Sequence, residues 1–211
     1  MAYRDMREFL AHLDSIGQLR NIDLPLDAGR GTNELQSLMR HLAETDGPAL
    51  VLRNLKNCNR PDIPVIFNPF GTRERTAMTI GLSDPTAAKR HHAAVLADPS
   101  RWIAPTLVER DQAPCKAVHI PKDRISLDRD LPLVWLGKEG ASYVTGGVVT
   151  TRDPETGARN VGWYRLTQLC NAEHPTGGSY SEERQKRFLS AFAFWNPPMS
   201  HIGLHLAKAA Q

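Results

Sequence analysis

The stretch from Ser142 to Arg165 constrains this chain more than any other. It reads Ser-Tyr-Val-Thr-Gly-Gly-Val-Val-Thr-Thr-Arg-Asp-Pro-Glu-Thr-Gly-Ala-Arg-Asn-Val-Gly-Trp-Tyr-Arg. Its first run, Tyr143 to Thr151, is rich in Val and Thr, which are stiff at χ1 and suit a pleated surface. Asp153-Pro-Glu-Thr-Gly157 then turns the chain. Asp bonds the backbone two residues on, Pro sets φ near about −65° and Gly accepts a positive φ. The spacing predicts a hairpin whose return strand carries Asn160, Val161, Gly162, Trp163, Tyr164 and Arg165.

Alternation along that strand sends Asn160, Gly162 and Tyr164 to one face and Trp163 and Arg165 to the other. An Asn amide oxygen is a hard, neutral ligand for magnesium, manganese or potassium, and a neighbouring glycine lets a flat group approach the main chain. A polar hairpin end with a surface arginine fits the same residues, and spacing alone leaves both readings open. The run Pro197 to His205 is the second place for chemistry. Ser200 is placed as an N-cap, which puts His201 in a first helical turn whose unpaired N–H groups attract phosphate. His205 follows one turn later, but no Glu follows His201, so the metalloprotease pattern is not met.

Helix and strand alternate through the first half. Met6, Phe9, Leu10, Leu13 and Ile16 recur at helical spacing, and Gly17 is placed to end that helix in a left-handed cap. A strand is expected over Leu19 to Leu24. A second helix is expected with Thr32 as its cap and Leu35, Leu38, Met39 and Leu42 on its apolar face, then the strand Ala49 to Leu52. The apolar run Val65 to Phe67, a helix from Thr72 through Ile80 and another from Pro85 towards Asp98 follow. Prolines thicken between Ala104 and Leu133 and periodicity fades, as in a domain linker. After the hairpin, Asn171 to Arg187 has the composition of an exposed insertion ending in a short helix, and Phe188 to Trp195 that of a buried strand.

These elements predict an α/β amino-terminal domain over residues 1–121, with its linker from about 104, and a mostly β domain over residues 122–211. With 211 residues, 41% hydrophobic and 23% charged, the chain has the composition of a soluble fold with a sizeable core. Its net charge of +3 is spread among acids, which gives no reason to expect nucleic acid. No apolar run approaches a membrane span and no signal-peptide core follows Met1, so a cytoplasmic location is expected. Cys58, Cys115 and Cys170 are far apart and lack Cys-x-x-Cys spacing, so neither a disulfide framework nor a thiolate zinc site is expected.

The run Thr151 to Arg165 closely resembles the signature of the UbiD-type decarboxylases, which use prenylated FMN to remove or add carboxylate groups. The blocks Tyr3 to Leu10, Gly17-Gln-Leu19, Gly47-Pro-Ala-Leu50 and Pro64 to Arg75 are similar to that family's amino-terminal blocks in the same order. The resemblance implies that the β domain is a flavin-binding split barrel, incomplete at residue 211. It implies Asn160 and His201 as ligands of a divalent metal, manganese or magnesium with potassium a further cation, that holds the cofactor phosphate together with a later glutamate. It makes Trp163 and Tyr164 backbone neighbours of the flavin and adds Gly162 and Ser200 to the cofactor-binding residues. Arg165 becomes the catalytic arginine, part of a glutamate-arginine-glutamate network.

The implied reaction is reversible, non-oxidative decarboxylation of an aromatic or α,β-unsaturated carboxylic acid, with a flavin prenyltransferase supplying the cofactor. The family's metal-binding and catalytic glutamates come later than His201, and no residue up to Gln211 replaces them. The chain is therefore expected to be the amino-terminal part of a longer enzyme, or a subunit completed by a second chain. The alternatives are a non-catalytic subunit that binds flavin phosphate or serves assembly and, from a different class, an ordinary FMN reductase. An open barrel leaves strand edges and apolar surface exposed, so homo-oligomerisation or a partner subunit is expected.

Overall fold

Asp5, Thr72 and Asp84 each close the first turn of a helix with a side-chain oxygen, as their residue types favour. The computed structural model describes residues 3–138, 141–168, 180–191 and 200–211. They fall into two units. The first comprises Met1–Leu26, Glu34–Lys56 and Pro61–Arg124; the second comprises Asp27–Asn33, Asn57–Arg60 and Ile125–Gln211. The whole is a mixed α/β fold with several small sheets.

In the first unit, Asp5 accepts from Glu8 N at 3.0 Å to start helix α1, Met6–Ser15. The helix ends at Gly17, whose φ of 71° is the left-handed conformation that glycine adopts without a Cβ penalty. Strand β1 is Leu19–Ile22, two residues shorter than the expected Leu19 to Leu24. It runs parallel to β2, Ala49–Leu52, which pairs antiparallel with β3, Val65–Phe67. All four residues of β2 are buried, and Phe9, Leu13, Leu19, Ala49 and Val51 make one core cluster.

Helices α2 (Glu34–Glu44), α3 (Arg73–Met78) and α4 (Pro85–Ala97) complete the unit. Thr32 does not cap α2 as expected: its hydroxyl donates to the Asp27 and Gly29 carbonyls. Arg75, only 1% exposed, donates to Gln18 Oε1 at 3.0 Å and to the Gly47 carbonyl at 2.8 Å. It thereby ties α3 to the residues that lead into β1 and β2. From Trp102 to Arg124 the chain makes only isolated 3₁₀ turns, with Trp102, Ile103, Leu107 and Val118 exposed.

The second unit holds β4 (Tyr143–Val144), β5 (Val148–Arg152), β6 (Arg159–Trp163), β7 (Leu166–Gln168) and β8 (Leu189–Ala191). It also holds helices α5 (Leu127–Asp130), α6 (Glu182–Arg187) and α7 (His201–Ala209). The strands form an antiparallel β5–β6 pair and a three-stranded sheet ordered β8-β7-β4. The first run of the expected hairpin is thus two strands. Opposite β5 and β6 the register pairs Val148 with Trp163, whereas β4 and β7 pair Val144 with Leu166. Thr145, Gly146 and Gly147 therefore face only Tyr164 and Arg165, a bulge that bends both strands.

The two early excursions are stitched in by long-range bonds. Asn59 donates to the carbonyls of Asp128 and Leu131 and accepts from Leu133 N, and Trp135 N donates to Ala28 O at 3.0 Å. Of the expected strand Phe188 to Trp195, Leu189–Ala191 is present. Residues 192–195 and the insertion up to residue 179 lie outside the described residues. No helix among the described residues is long and apolar enough to cross a membrane.

Candidate functional site

The Asp153 turn closes as its chemistry predicts. Oδ1 accepts from the backbone N–H groups of Glu155 at 2.9 Å and Thr156 at 3.1 Å, and Gly157 takes a φ of 71°. Thr151 then stands opposite Asn160, and Val149 opposite Gly162. Along β5 and β6 these inner residues are half-buried, while Val148, Val161 and Trp163 on the outer face are 67%, 65% and 68% exposed. β6 ends at Trp163, but burial alternates as expected through Arg165, with Asn160, Gly162 and Tyr164 half-buried and Trp163 and Arg165 exposed.

Helix α7 packs on this hairpin. Ser200 caps it, accepting from Gly203 N at 3.3 Å, and His201 is its first residue, exposed. His205 is buried, with Nδ1 2.7 Å from the Thr151 hydroxyl and Nε2 4.0 Å from Asp153 Oδ2. Lys208 Nζ lies 2.7 Å from Asp153 Oδ2 and 2.8 Å from Glu155 Oε2. The Lys208 ammonium, aided by the Thr156 and Glu155 N–H groups, holds the Asp153 carboxyl down at about 2. Asp153 and then Glu155 raise Lys208 in return.

Because His205 bonds Thr151, and Thr151 shares its face with Asn160, α7 covers the face from which Asn160 projects. Asn160 Nδ2 is buried there without a hydrogen-bond partner. Few native side chains carry such an orphaned group, and keeping one costs roughly 1–3 kcal/mol. A half-turn of the amide places its oxygen in the same position. That donor suits a hard cation, and a histidine in the first turn of α7 suits the same ion. No group of three or more His, Cys, Asp or Glu among the described residues could hold a metal by itself. A metal bound through Asn160 and His201 therefore needs a further ligand.

The bulge aims the two residues that follow β6. Tyr164 N donates to Gly147 O at 2.9 Å, and the Arg165 guanidinium lies 5.3 Å from the centre of the Tyr143 ring, a cation–π contact. Gly162 has a use that the sequence did not suggest. A Cβ there would stand 2.3 Å from Cε2 of Tyr164, so the glycine makes room for that ring. In this structure it is Tyr164 that occupies the space over Gly162 expected for a flat cofactor. Trp163 faces away from α7 on the exposed side.

Sequence reasoning did not single out Thr151, His205 or Lys208 as parts of the site. The signal that was available is the i, i+4, i+7 spacing of His201, His205 and Lys208, which puts all three on one stripe of α7. Asp153 was read only as a turn residue. Its second oxygen reaches across to the helix, a contact that no local pattern announces.

The family model of the 3-octaprenyl-4-hydroxybenzoate carboxy-lyase N-terminal domain matches residues 10–95, and that of the Rift-related domain of the same carboxy-lyase matches residues 106–194. Among solved structures, the chain is similar to an evolved dimeric form of the UbiD-class enzyme HmfF from Pelotomaculum thermopropionicum in complex with prFMN. Identity is 26% and the TM-score 0.66, over 78% of this chain and 36% of that one. It is similar to the closed form of vanillic acid decarboxylase, ShVdcCD, from Sedimentibacter hydroxybenzoicus, at 29% identity and a TM-score of 0.64, over 78% of this chain and 35% of that one. HmfF in complex with FMN matches at 27% identity and a TM-score of 0.64, over 76% of this chain and 33% of that one. The chain thus spans about a third of the length of the structures it matches.

Proposed function

We propose, from the premise that this chain belongs to the UbiD family of carboxy-lyases, that it forms the amino-terminal part or a subunit of a cytoplasmic enzyme. That enzyme decarboxylates an aromatic or α,β-unsaturated carboxylic acid, reversibly and without oxidation, using prenylated FMN. Support for the flavin comes from the relatives solved with prFMN and FMN. The observation that carries the site is the buried, unpartnered amide of Asn160 on the hairpin face that α7 covers.

Asn160 and His201 would hold a divalent metal, manganese or magnesium with potassium as a further cation, and through it the cofactor phosphate. The first-turn N–H groups of α7 favour the same negative charge. Gly162, Ser200 and the main chain at Trp163 and Tyr164 would border the flavin, with the Tyr164 ring turning away from Gly162 to admit it. When bound, the cofactor, supplied by a flavin prenyltransferase, would provide an electron sink for the pair released with carbon dioxide.

Arg165 holds the substrate carboxylate. A guanidinium stays charged and grips a carboxylate through two parallel hydrogen bonds, which fixes the breaking bond in place. The proton that replaces carbon dioxide would come from an acidic residue outside residues 1–211, in the same polypeptide or a partner. Relatives described as an evolved dimeric form and as ShVdcCD with a separately named, truncated ShVdcD support an oligomer or a second subunit.

Mass spectrometry of the purified native protein, with its released small molecules analysed alongside, tests this reading. Decarboxylation of a panel of aryl and enoic acids is assayed on the same sample. Prenylated FMN together with carbon dioxide release is the expected result. Protein that carries no flavin and takes none up when supplied with FMN and Mn²⁺ would contradict it.

A further inference from the structure

His205 and Lys208 have no part in the proposed chemistry, yet they make the closest polar contacts between α7 and the hairpin. His205 is 7% exposed and its Nδ1 stands 2.7 Å from the Thr151 hydroxyl, on the residue paired across the strands with Asn160. Lys208 lies between Asp153 at 2.7 Å and Glu155 at 2.8 Å. Asp153 is itself held by the N–H groups of Glu155 and Thr156, so the anchor for Lys208 is part of a closed turn.

We propose that the Thr151–His205 and Asp153–Lys208 contacts form a clamp that sets the rotation and height of α7 on the hairpin, making His205 and Lys208 positioning residues for His201 beside Asn160. The assignment rests on the proposed function. Each residue of a helix turns about 100° and rises about 1.5 Å. A slip of one residue would therefore carry His201 off the face that Asn160 shares. One contact leaves a helix able to pivot. Two contacts one turn apart, both on the stripe that begins with His201, fix its azimuth and its height.

The test uses the purified protein with Lys208→Met, Lys208→Arg and the milder Thr151→Val, read by amide hydrogen exchange over residues 201–209 and by Mn²⁺ affinity in the presence of FMN. Lys208→Met and Thr151→Val are expected to speed exchange of that helix, with residues 6–15 unchanged, and to weaken Mn²⁺ binding about tenfold or more. Lys208→Arg is expected to restore both. Unchanged exchange in Lys208→Met and Thr151→Val overturns the clamp, and faster exchange with unchanged Mn²⁺ affinity overturns the positioning role. Should the parent protein bind no Mn²⁺ with FMN, the proposed function fails and the positioning role with it, while the exchange arm still decides whether the clamp exists.

Discussion

Asn160 is the residue whose surroundings make least sense without a ligand. A leucine in its place removes a buried polar atom that lacks a partner and fills similar volume. Asn160→Leu is therefore expected to leave the thermal midpoint unchanged or raised, since burying such a group costs roughly 1–3 kcal/mol, while metal affinity falls about tenfold or more. Differential scanning calorimetry and a metal titration on the same sample check the two halves. Arg165 makes the complementary case. Lysine keeps the charge but not the two-pronged grip, so Arg165→Lys should lower kcat about 100-fold or more in the flavin-loaded enzyme, with a smaller change in KM. Hairpin alternation assigned both residues to faces, while their roles were implied only by the family resemblance. The job of Gly162 could not be read from the sequence, since it depends on where the Tyr164 ring folds back.

At the scale of elements, the Asp153–Lys208 pair joins the hairpin turn to the end of α7, and its pH dependence has a definite sign. The Asp153 carboxyl is held at about 2 against an ordinary 3.8, so the folded form binds fewer protons than the unfolded one. Its contribution is complete above 3.8 and disappears as pH falls towards 2. Lys208 is raised above 10.5, so its contribution holds below that value and disappears as pH rises through the raised one. The midpoint difference between the parent and Asp153→Asn should accordingly be constant from about pH 5 to 9, shrink below about pH 4 and vanish only as pH falls through about 2. In the first unit, Arg75→Ala opens a hole and leaves Gln18 unpaired, which should cost about 2–5 kcal/mol in chemical denaturation. The helix cap at Ser200 and the stop at Gly17 were legible because capping works within a few residues, whereas Thr32, read the same way, spends its hydroxyl on the Asp27 and Gly29 carbonyls. The bulge opposite Tyr164 and Arg165 was not legible, because it depends on a one-residue difference between two strands.

For the whole molecule, the α/β start and the mostly β continuation follow from element order, whereas the membership of residues 27–33 and 57–60 in the second unit does not. They are held by contacts such as Asn59 to Leu131, which leave no trace in local composition. The exposed stretch from Trp102 to Val118, with isolated 3₁₀ turns and few partners, should be the first cut in limited proteolysis, at Arg101, Arg110 or Lys116. A ladder of early cuts inside α1 or β5 would contradict that. The central claim is that the hairpin face under α7 binds a flavin phosphate through a metal held by Asn160 and His201. The most direct measurement is FMN binding with and without Mn²⁺, followed by flavin fluorescence, in the parent protein and in Asn160→Leu. Saturable binding that requires Mn²⁺ and weakens about tenfold or more in the variant is the predicted result. Binding that ignores Mn²⁺, or that is equal in the two proteins, would contradict it.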